Sequence, residues 1–191
     1  MGSDLAMTVD MNSQIPVTLD FQQHHLLEAQ LLKEPLTVGP QGGAQMTSAL
    51  TQLLQGAWRA GFSTADLTGK PKALNCCIRF VDEVEGQSLN HQFRGREAAT
   101  NVLSFETAFV DEAECRHLGD LVLCVPVLVA EAAMQGKTLQ AHCLHLALHG
   151  ILHLIGYDHQ TADGRRVMEA LEIKLLNEVG IANPYEVTGN E

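Results

Sequence analysis

The residues with the most evident chemical potential are histidines, and five of the chain's nine fall between positions 142 and 159. His149 and His153 are four residues apart, so a helix would place their imidazoles one turn apart on one face. Gly156 can end that helix, and a tight turn after it would return His159 towards the helix end. Three neutral imidazoles suit a divalent metal such as zinc, and three protein ligands leave one coordination position open, as catalytic zinc sites require.

The helix predicted to carry these histidines spans residues 139–155 and is apolar over most of its surface. A projection at about 100° per residue places four histidines on one narrow stripe opposite a broad apolar face; they are His142, His145, His149 and His153. A helix this apolar is expected to be buried, and buried imidazoles need polar partners. His142 and His145 lie away from the predicted return of His159, so we assign them supporting or structural roles.

A glycine separates this pattern from that of the zinc metalloproteases. In those enzymes a glutamate follows the first histidine and acts as the general base, whereas Gly150 occupies that position here. The sequence therefore argues against peptide hydrolysis of that type. Because glycine inside a helix costs about 1 kcal/mol relative to alanine, we expect another backbone or a substrate to approach the helix closely at Gly150.

Composition limits the classes of function that remain. The chain has 191 residues and a net charge of −11, which disfavours binding of nucleic acid by bulk electrostatics, and we expect no DNA partner. No apolar run reaches the roughly 20 residues that span a bilayer, so no membrane association is expected. The five cysteines lack zinc-ribbon or CxxC spacing and indicate reduced thiols in the cytoplasm.

Hydrophobic periodicity predicts a small mixed sheet with helices packed on it. The predicted strands are 15–21, 73–81, 101–106 and 119–124, and the predicted helices are 44–60, 82 to about 90, 126–135, 139–155 and 161–179. We expect residues 1–13 to be disordered or partly derived from a tag, residues 14–185 to form a single domain, and residues 186–191 to be a C-terminal tail.

Four stretches, in order, resemble one protein family. Residues 149–159 are similar to the H-G-x-L-H-L-x-G-Y-D-H signature of the YbeY family, bacterial endoribonucleases of ribosomal RNA maturation. Residues 89–96 resemble its L-N-x-x-[YF]-R-G-[KR] segment, 100–105 its T-N-V-L-S-F strand, and 118–123 the following G-D strand. The matching region covers roughly residues 78–185, more than half of the chain.

The resemblance implies a fold, a ligand set and a substrate. The implied fold is α+β, with about four strands and five to six helices, and with the metal-binding helix in the core. His149, His153 and His159 would bind one divalent metal ion, with zinc as the first candidate. Arg94 would be a catalytic residue that faces this ion. The implied substrate is single-stranded RNA in a ribosomal RNA precursor. The implied partners are ribosome-associated proteins, and the implied processes are small-subunit maturation and ribosome quality control.

Arg94 would give this metal site a role in phosphodiester chemistry. Its planar guanidinium would pair with non-bridging phosphate oxygens as charge develops. The attacking group is either the 2′-hydroxyl of the RNA or a water activated by the metal, and the sequence does not choose between them. Asn101 and Ser104 lie on a nearby strand, where structural hydrogen bonding is the first expectation, and Asp158 either orients a ligand imidazole or stabilises the turn.

Two other classes of function are compatible with these residues. One is a ribosome-assembly factor that binds its partner and uses the metal structurally; the other is a metallohydrolase acting on a different substrate. A structural zinc has four protein ligands, and the only thiol of the helix, Cys143, lies off the histidine stripe. This favours the open, catalytic type of site.

Overall fold

The computed structural model describes residues 15–22, 26, 30, 42–61 and 71–186. The predicted disordered segment 1–13 and almost all of the predicted tail lie outside these residues. The strands are β1 (Val17–Gln22), β2 (Ala73–Val81), β3 (Val102–Val110) and β4 (Cys115–Cys124). The helices of the described residues are α1 (Gly42–Gly61), α2 (Glu83–Arg94), α3 (Val125–Met134), α4 (Leu139–Leu154) and α5 (Ala162–Glu178).

The four strands form one mixed sheet in the order β1-β2-β4-β3. β1 and β4 are parallel to the central strand β2, while β3 is antiparallel to β4. β2 alternates between buried and half-buried residues along most of its length, because one of its faces points into the main core. The predicted α+β fold, with about four strands and a helix of histidines in its core, is confirmed.

Helix α4 lies at the centre of the main core. Eleven of its residues are buried, because its apolar surface packs against α1, the sheet and α5. Thr138 caps its first turn, since the Thr138 hydroxyl accepts a hydrogen bond from the backbone N–H of Ala141. A buried, capped helix is a rigid support for the histidines that it carries.

Helix α2 continues further than the sequence predicts. Asp82 caps it by accepting a hydrogen bond from the backbone N–H of Glu85, but the helix ends at Arg94 rather than near Asn90. Gly95 follows with φ +66°, a left-handed conformation that suits glycine at a helix end. Arg94 therefore lies in the last turn of the helix, about four residues beyond the predicted end.

No helix among the described residues is long and apolar enough to cross a membrane.

Candidate metal centre

The imidazoles of His149, His153 and His159 form one cluster, as the sequence predicts. The ring nitrogen atoms that could bind a metal ion, one from each histidine, lie within 4.8 Å of one another. The ring centroids are 4.7 Å apart for His149 and His153, and 5.2 and 4.9 Å from these two to His159. The cluster is of a size to hold one metal ion.

A turn at the end of α4 brings His159 back to the helix. The backbone N–H of Gly156 donates to the carbonyl of His153, and that of Tyr157 donates to Leu152, each at 3.0 Å. This is the Schellman pattern, and Gly156 has the left-handed φ of +99° that the pattern requires. The local sequence therefore encodes the reversal of the chain that completes the cluster.

A carboxylate of α5 orients the first histidine. Nδ1 of His149 lies 2.8 Å from Oε1 of Glu172, whose side chain is fully buried. Burial alone would raise the pKa of Glu172, but its contacts with His145, His149 and Tyr185 outweigh burial and bring that pKa to about 2. Glu172 is therefore ionised at neutral pH, and Nδ1 of His149 must carry the proton of this hydrogen bond.

His153 is held in the same tautomer. Its Nδ1 lies 3.0 Å from the backbone carbonyl of Tyr157, which can only accept a hydrogen bond. Burial, together with the imidazoles of His149 and His159, lowers the pKa of His153 below the ordinary 6.5, so this ring is neutral at pH 7. Its single proton is on Nδ1, and its Nε2 therefore carries a lone pair.

The positions of these protons test whether the cluster fits a metal. The Nε2 atoms of His149 and His153 are 3.2 Å apart, and when both rings are neutral neither Nε2 has a proton to donate to the other. Two lone pairs at this distance repel each other unless a cation lies between them. A hydrogen bond from Nδ1 to a carboxylate, as in His149, or to a backbone carbonyl, as in His153, is the arrangement that proteins use to present histidine to a metal.

Gly150 allows α4 to lie close to the sheet. A Cβ atom at this position would be 2.7 Å from Cδ2 of Leu121 and 3.1 Å from Oγ of Ser104. The expectation of a close approach is confirmed, but the neighbours are side chains of β4 and β3 rather than a backbone or a substrate. Glycine here sets the distance between the histidine helix and the strands that face it.

Arg94 lines the same cavity as the three histidines. This cavity has a volume of about 670 Å³, and Arg96, Asn101, Ser104 and Asp158 also line it.

Hydrogen bonds anchor two of the segments that line this cavity. The backbone carbonyl of Ala98 accepts a hydrogen bond of 2.6 Å from the buried Asn90 side chain, which fixes the segment after α2. Asp158 accepts from the backbone N–H of Gln160 and so stabilises the turn, one of the two roles predicted for it.

A second cavity, of about 370 Å³, adjoins the first. Both are lined by Asn101, Val102, His149 and His159, so the histidine cluster lies where they meet. The amide of Asn101 donates to the carboxylate of Glu131 at 3.0 Å. The cluster is therefore open to two adjoining cavities.

His142 does not belong to the cluster and instead supports Asn101 through Glu131. Its Nε2 lies 2.8 Å from Oε2 of Glu131, and its buried Nδ1 has no hydrogen-bond partner among the described residues. Burial lowers the pKa of His142, although the carboxylate opposes this effect. His145 likewise lies outside the cluster, with its Nε2 3.7 Å from Glu172. The supporting roles assigned to both histidines agree with these contacts.

We expect the metal-free protein to lose stability as the pH falls through the ordinary histidine pKa of 6.5. Because the folded pKa of His142 is lowered, the unfolded chain binds a proton first, and acid favours unfolding. Thermal midpoints between about pH 7.5 and pH 5.5 measure this effect. The decline should be smaller in His142→Gln, which does not titrate but can still donate to Glu131. An equal decline in both proteins would contradict the assignment.

Replacing Glu172 by glutamine should weaken metal binding by about 10- to 100-fold, because the buried charge that orients His149 is lost. A competition titration against a chromophoric zinc chelator measures this affinity. Glu178→Gln changes an exposed carboxylate on the same helix and serves as the matched control. Equal affinities in the two variants would show that Glu172 does not act on the site.

A second group of candidate ligands lies at the β3–β4 turn and consists of Asp111, Cys115 and His117. The ring nitrogens of His117 are already engaged, Nε2 at 3.0 Å from Asp111 and Nδ1 at 3.2 Å from Asn75. The other oxygen of Asp111 accepts from the backbone N–H groups of Ala113 and Cys115. These contacts stabilise the turn, and we assign the group a structural role.

Sequence reasoning missed Glu172, Glu131 and Tyr185, whose hydroxyl donates to Glu172. Glu172 did leave a signal, because it occupies the buried stripe of α5 together with Met168, Leu175 and Leu176. A carboxylate on the apolar face of a helix is buried at a cost unless it has partners. Such a residue indicates a polar site inside the core, although not which side chains it meets.

Three clustered imidazoles, two of them with Nδ1 hydrogen-bonded to an acceptor, lie beside an arginine in an open cavity of an α+β fold. This arrangement is typical of a metallohydrolase. The sequence model of the family described as Endoribonuclease YbeY matches residues 44–180. This is most of the chain and includes the histidines and Arg94, so the chain belongs to the YbeY family.

Curated relatives agree with this assignment. A protein of Pseudomonas putida named Endoribonuclease YbeY is 55% identical over 115 residues, which cover 60% of this chain and 73% of the relative. Proteins of the same name from Stenotrophomonas maltophilia and Xanthomonas campestris are 49% and 47% identical, each match covering 63% of this chain and 78% of the relative. A solution structure of a Thermotoga maritima protein aligns over 88% of this chain and 99% of its own, with a TM-score of 0.47 and 19% identity.

Proposed function

We propose that this chain is a metal-dependent endoribonuclease that hydrolyses phosphodiester bonds in single-stranded RNA. The observation that carries the proposal is the presence of Arg94 and the three-histidine cluster in one cavity. The names of the relatives support RNA as the substrate. We further propose that residues 14–185 form a single catalytic domain, since the elements between them share one main core.

In this proposal His149, His153 and His159 hold one divalent ion, for which zinc is the first choice because all three ligands are imidazoles. Such an ion, when bound, polarises a phosphoryl oxygen and lowers the pKa of a water molecule. Glu172 and the carbonyl of Tyr157 each accept a hydrogen bond from Nδ1 of one histidine, and so hold a proton on Nδ1 rather than on the Nε2 that would bind the ion. The protein thereby keeps the Nε2 atoms of His149 and His153 available as ligands.

Arg94 is proposed to bind the phosphate that reacts. Arg94 is the last residue of α2, directly before Gly95. The end of α2 forms one wall of the cavity, and the exposed Arg94 lines it. Because guanidinium donates two parallel hydrogen bonds, it stabilises the charge that develops on the non-bridging oxygens. Arg96 lines the same wall and supplies a second positive charge for the RNA backbone.

The biological substrate is proposed to be a ribosomal RNA precursor, reached in the cytoplasm with the help of ribosome-associated proteins. The net charge of −11 supports recruitment by a partner, because a protein this acidic is repelled by RNA until local contacts form. Small-subunit maturation and ribosome quality control are the processes in which such an enzyme would act.

The net charge also favours the alternative of an assembly factor with a structural metal. Against it, a structural zinc has four protein ligands, and the cluster in the described residues has three. A metallohydrolase of another substrate class is the third possibility. Its peptide-cleaving form would need the carboxylate base that Gly150 replaces.

A cleavage assay on a synthetic single-stranded RNA tests the proposal. Zinc-loaded protein should cleave the strand, and chelated protein should not. The same sequence annealed to its complement should resist cleavage. Cleavage that persists after complete metal removal, or its absence at every metal concentration, would contradict the proposed function.

A further inference from the structure

The cavity beside the histidines runs along the edge of the sheet where β3 pairs with no further strand among the described residues, which we call the free edge. Five consecutive residues, 100–104, line it, and they include the start of β3, an outer strand of the sheet. Val102 packs against the main core, whereas Leu103 belongs to the smaller cluster on the opposite face of the sheet. Because residues from both faces line the cavity, it borders the backbone of the strand and not one of its faces.

The pairing of β3 with β4 determines which backbone groups reach this edge. Cys124 donates a backbone hydrogen bond of 3.0 Å to Asn101, and the register then pairs Leu103 with Val122. In an antiparallel pair, alternate residues direct both backbone groups towards the partner strand or away from it. The N–H and C=O groups of residues 102 and 104 therefore point away from β4.

Within the described part of the chain, one of these four groups has a hydrogen-bond partner. The backbone N–H of Val102 donates to the side-chain oxygen of Asn101 at 2.7 Å. The carbonyl of Val102 and both backbone groups of Ser104 remain directed towards the free edge. They form a short row of acceptor, donor and acceptor next to the histidine cluster, and the wall with Arg94 and Arg96 lines the same cavity.

We propose that the free backbone groups of β3 hydrogen-bond to the Watson–Crick edges of unpaired RNA bases, while Arg94 and Arg96 bind the phosphates. The inference rests on the proposed function and adds the means by which single strands are selected. An unpaired base offers adjacent donors and acceptors that match the N–H and C=O of Ser104. In a duplex the same base groups are already paired, so double-stranded RNA cannot make these bonds.

A peptide could also pair with an exposed strand edge. Peptide pairing gains affinity from a repeated ladder, whereas here Asn101 occupies the N–H of Val102 and leaves only three groups. The two arginines also suit a polyanion better than a peptide of unspecified charge. Both observations favour RNA as the occupant of this edge.

Two RNAs that differ only in the position of a methyl group test the inference. In one, every uridine carries a methyl on N3, which blocks the Watson–Crick edge. In the other, every uridine carries it on C5, outside that edge. We expect the zinc-loaded wild-type protein to prefer the C5-methylated strand by about tenfold or more in kcat/KM, since losing a base-edge contact has an effect of this size. The same preference should appear in the affinity measured by fluorescence anisotropy.

Two variants of Ser104 locate the effect. Ser104→Pro removes the N–H that points away from β4 and leaves the hydrogen bonds to β4 intact, and an edge strand tolerates proline at such a position. This variant should reduce the preference for the C5-methylated strand to near unity. Ser104→Ala keeps the N–H and should keep the preference, whatever its activity. Equal treatment of both RNAs by the wild-type protein, in cleavage and affinity, would overturn the inference even if Ser104→Pro fails to fold. Absence of cleavage alone would count against the proposed function, and the affinity ratio would still decide this inference.

Discussion

Replacing His153 by alanine is expected to abolish metal binding and RNA cleavage together. The substitution leaves two imidazoles in the cluster, and because loss of a group that merely orients a ligand costs about 10- to 100-fold in metal affinity, loss of a ligand should cost more. It also removes the Nε2 that faces His149 at 3.2 Å. Metal content after dialysis and cleavage of single-stranded RNA measure the two effects.

The control for this experiment is His91→Ala. His91 is an exposed histidine of α2 whose ring pairs with the exposed Glu97 and does not line the cavity, so its loss should change neither metal content nor cleavage. If His153→Ala keeps a full equivalent of zinc, the ligand assignment is wrong. If it loses zinc but still cleaves RNA, the metal is structural, and the assembly-factor alternative gains support.

Replacing Arg94 by alanine should lower kcat for RNA cleavage by about 10²- to 10³-fold, the usual effect of removing one donor to a developing oxyanion. Zinc content should not change, because none of the hydrogen bonds and ring contacts described for the three histidines involves Arg94. Single-turnover cleavage with saturating enzyme isolates the chemical step. Arg94→Lys should recover only part of the rate, since lysine keeps the charge but not the two parallel donors.

Arg166→Ala is the matched control for general electrostatics. Arg166 is an exposed arginine of α5 that pairs with Asp163 at 3.2 Å and does not line the cavity. Its loss should leave the rate unchanged. Equal losses in the variants of Arg94 and Arg166 would show that overall charge, and not the position of Arg94, supports cleavage.

Local patterns in the sequence predicted much of the fold and the cluster of candidate ligands. The spacing of His149 and His153 fixes their relation on any helix, and Gly156 supplies the one conformation that reverses the chain towards His159. Both are short-range effects, set by the helical period and by glycine's access to positive φ. The predicted end of α2, near residue 90, is about four residues too early, because the exposed polar residues before Arg94 give little apolar periodicity.

The partners of these groups depend on contacts between distant parts of the chain. Glu172 reaches His149 across 23 residues, and Glu131 joins Asn101 to His142 across 30 and 11 residues. No local spacing encodes such contacts, because they arise when packed helices bring their faces together.

By itself, the sequence determined which imidazoles could form the cluster and excluded the protease type of site through Gly150. Only the tertiary structure decided the tautomers that leave Nε2 free on His149 and His153, the presence of Arg94 in their cavity, and the position of β3 at the edge of the sheet. The physical reason is that spacing along one helix is fixed by its period, whereas burial, hydrogen-bond partners and strand order follow from packing of the whole core.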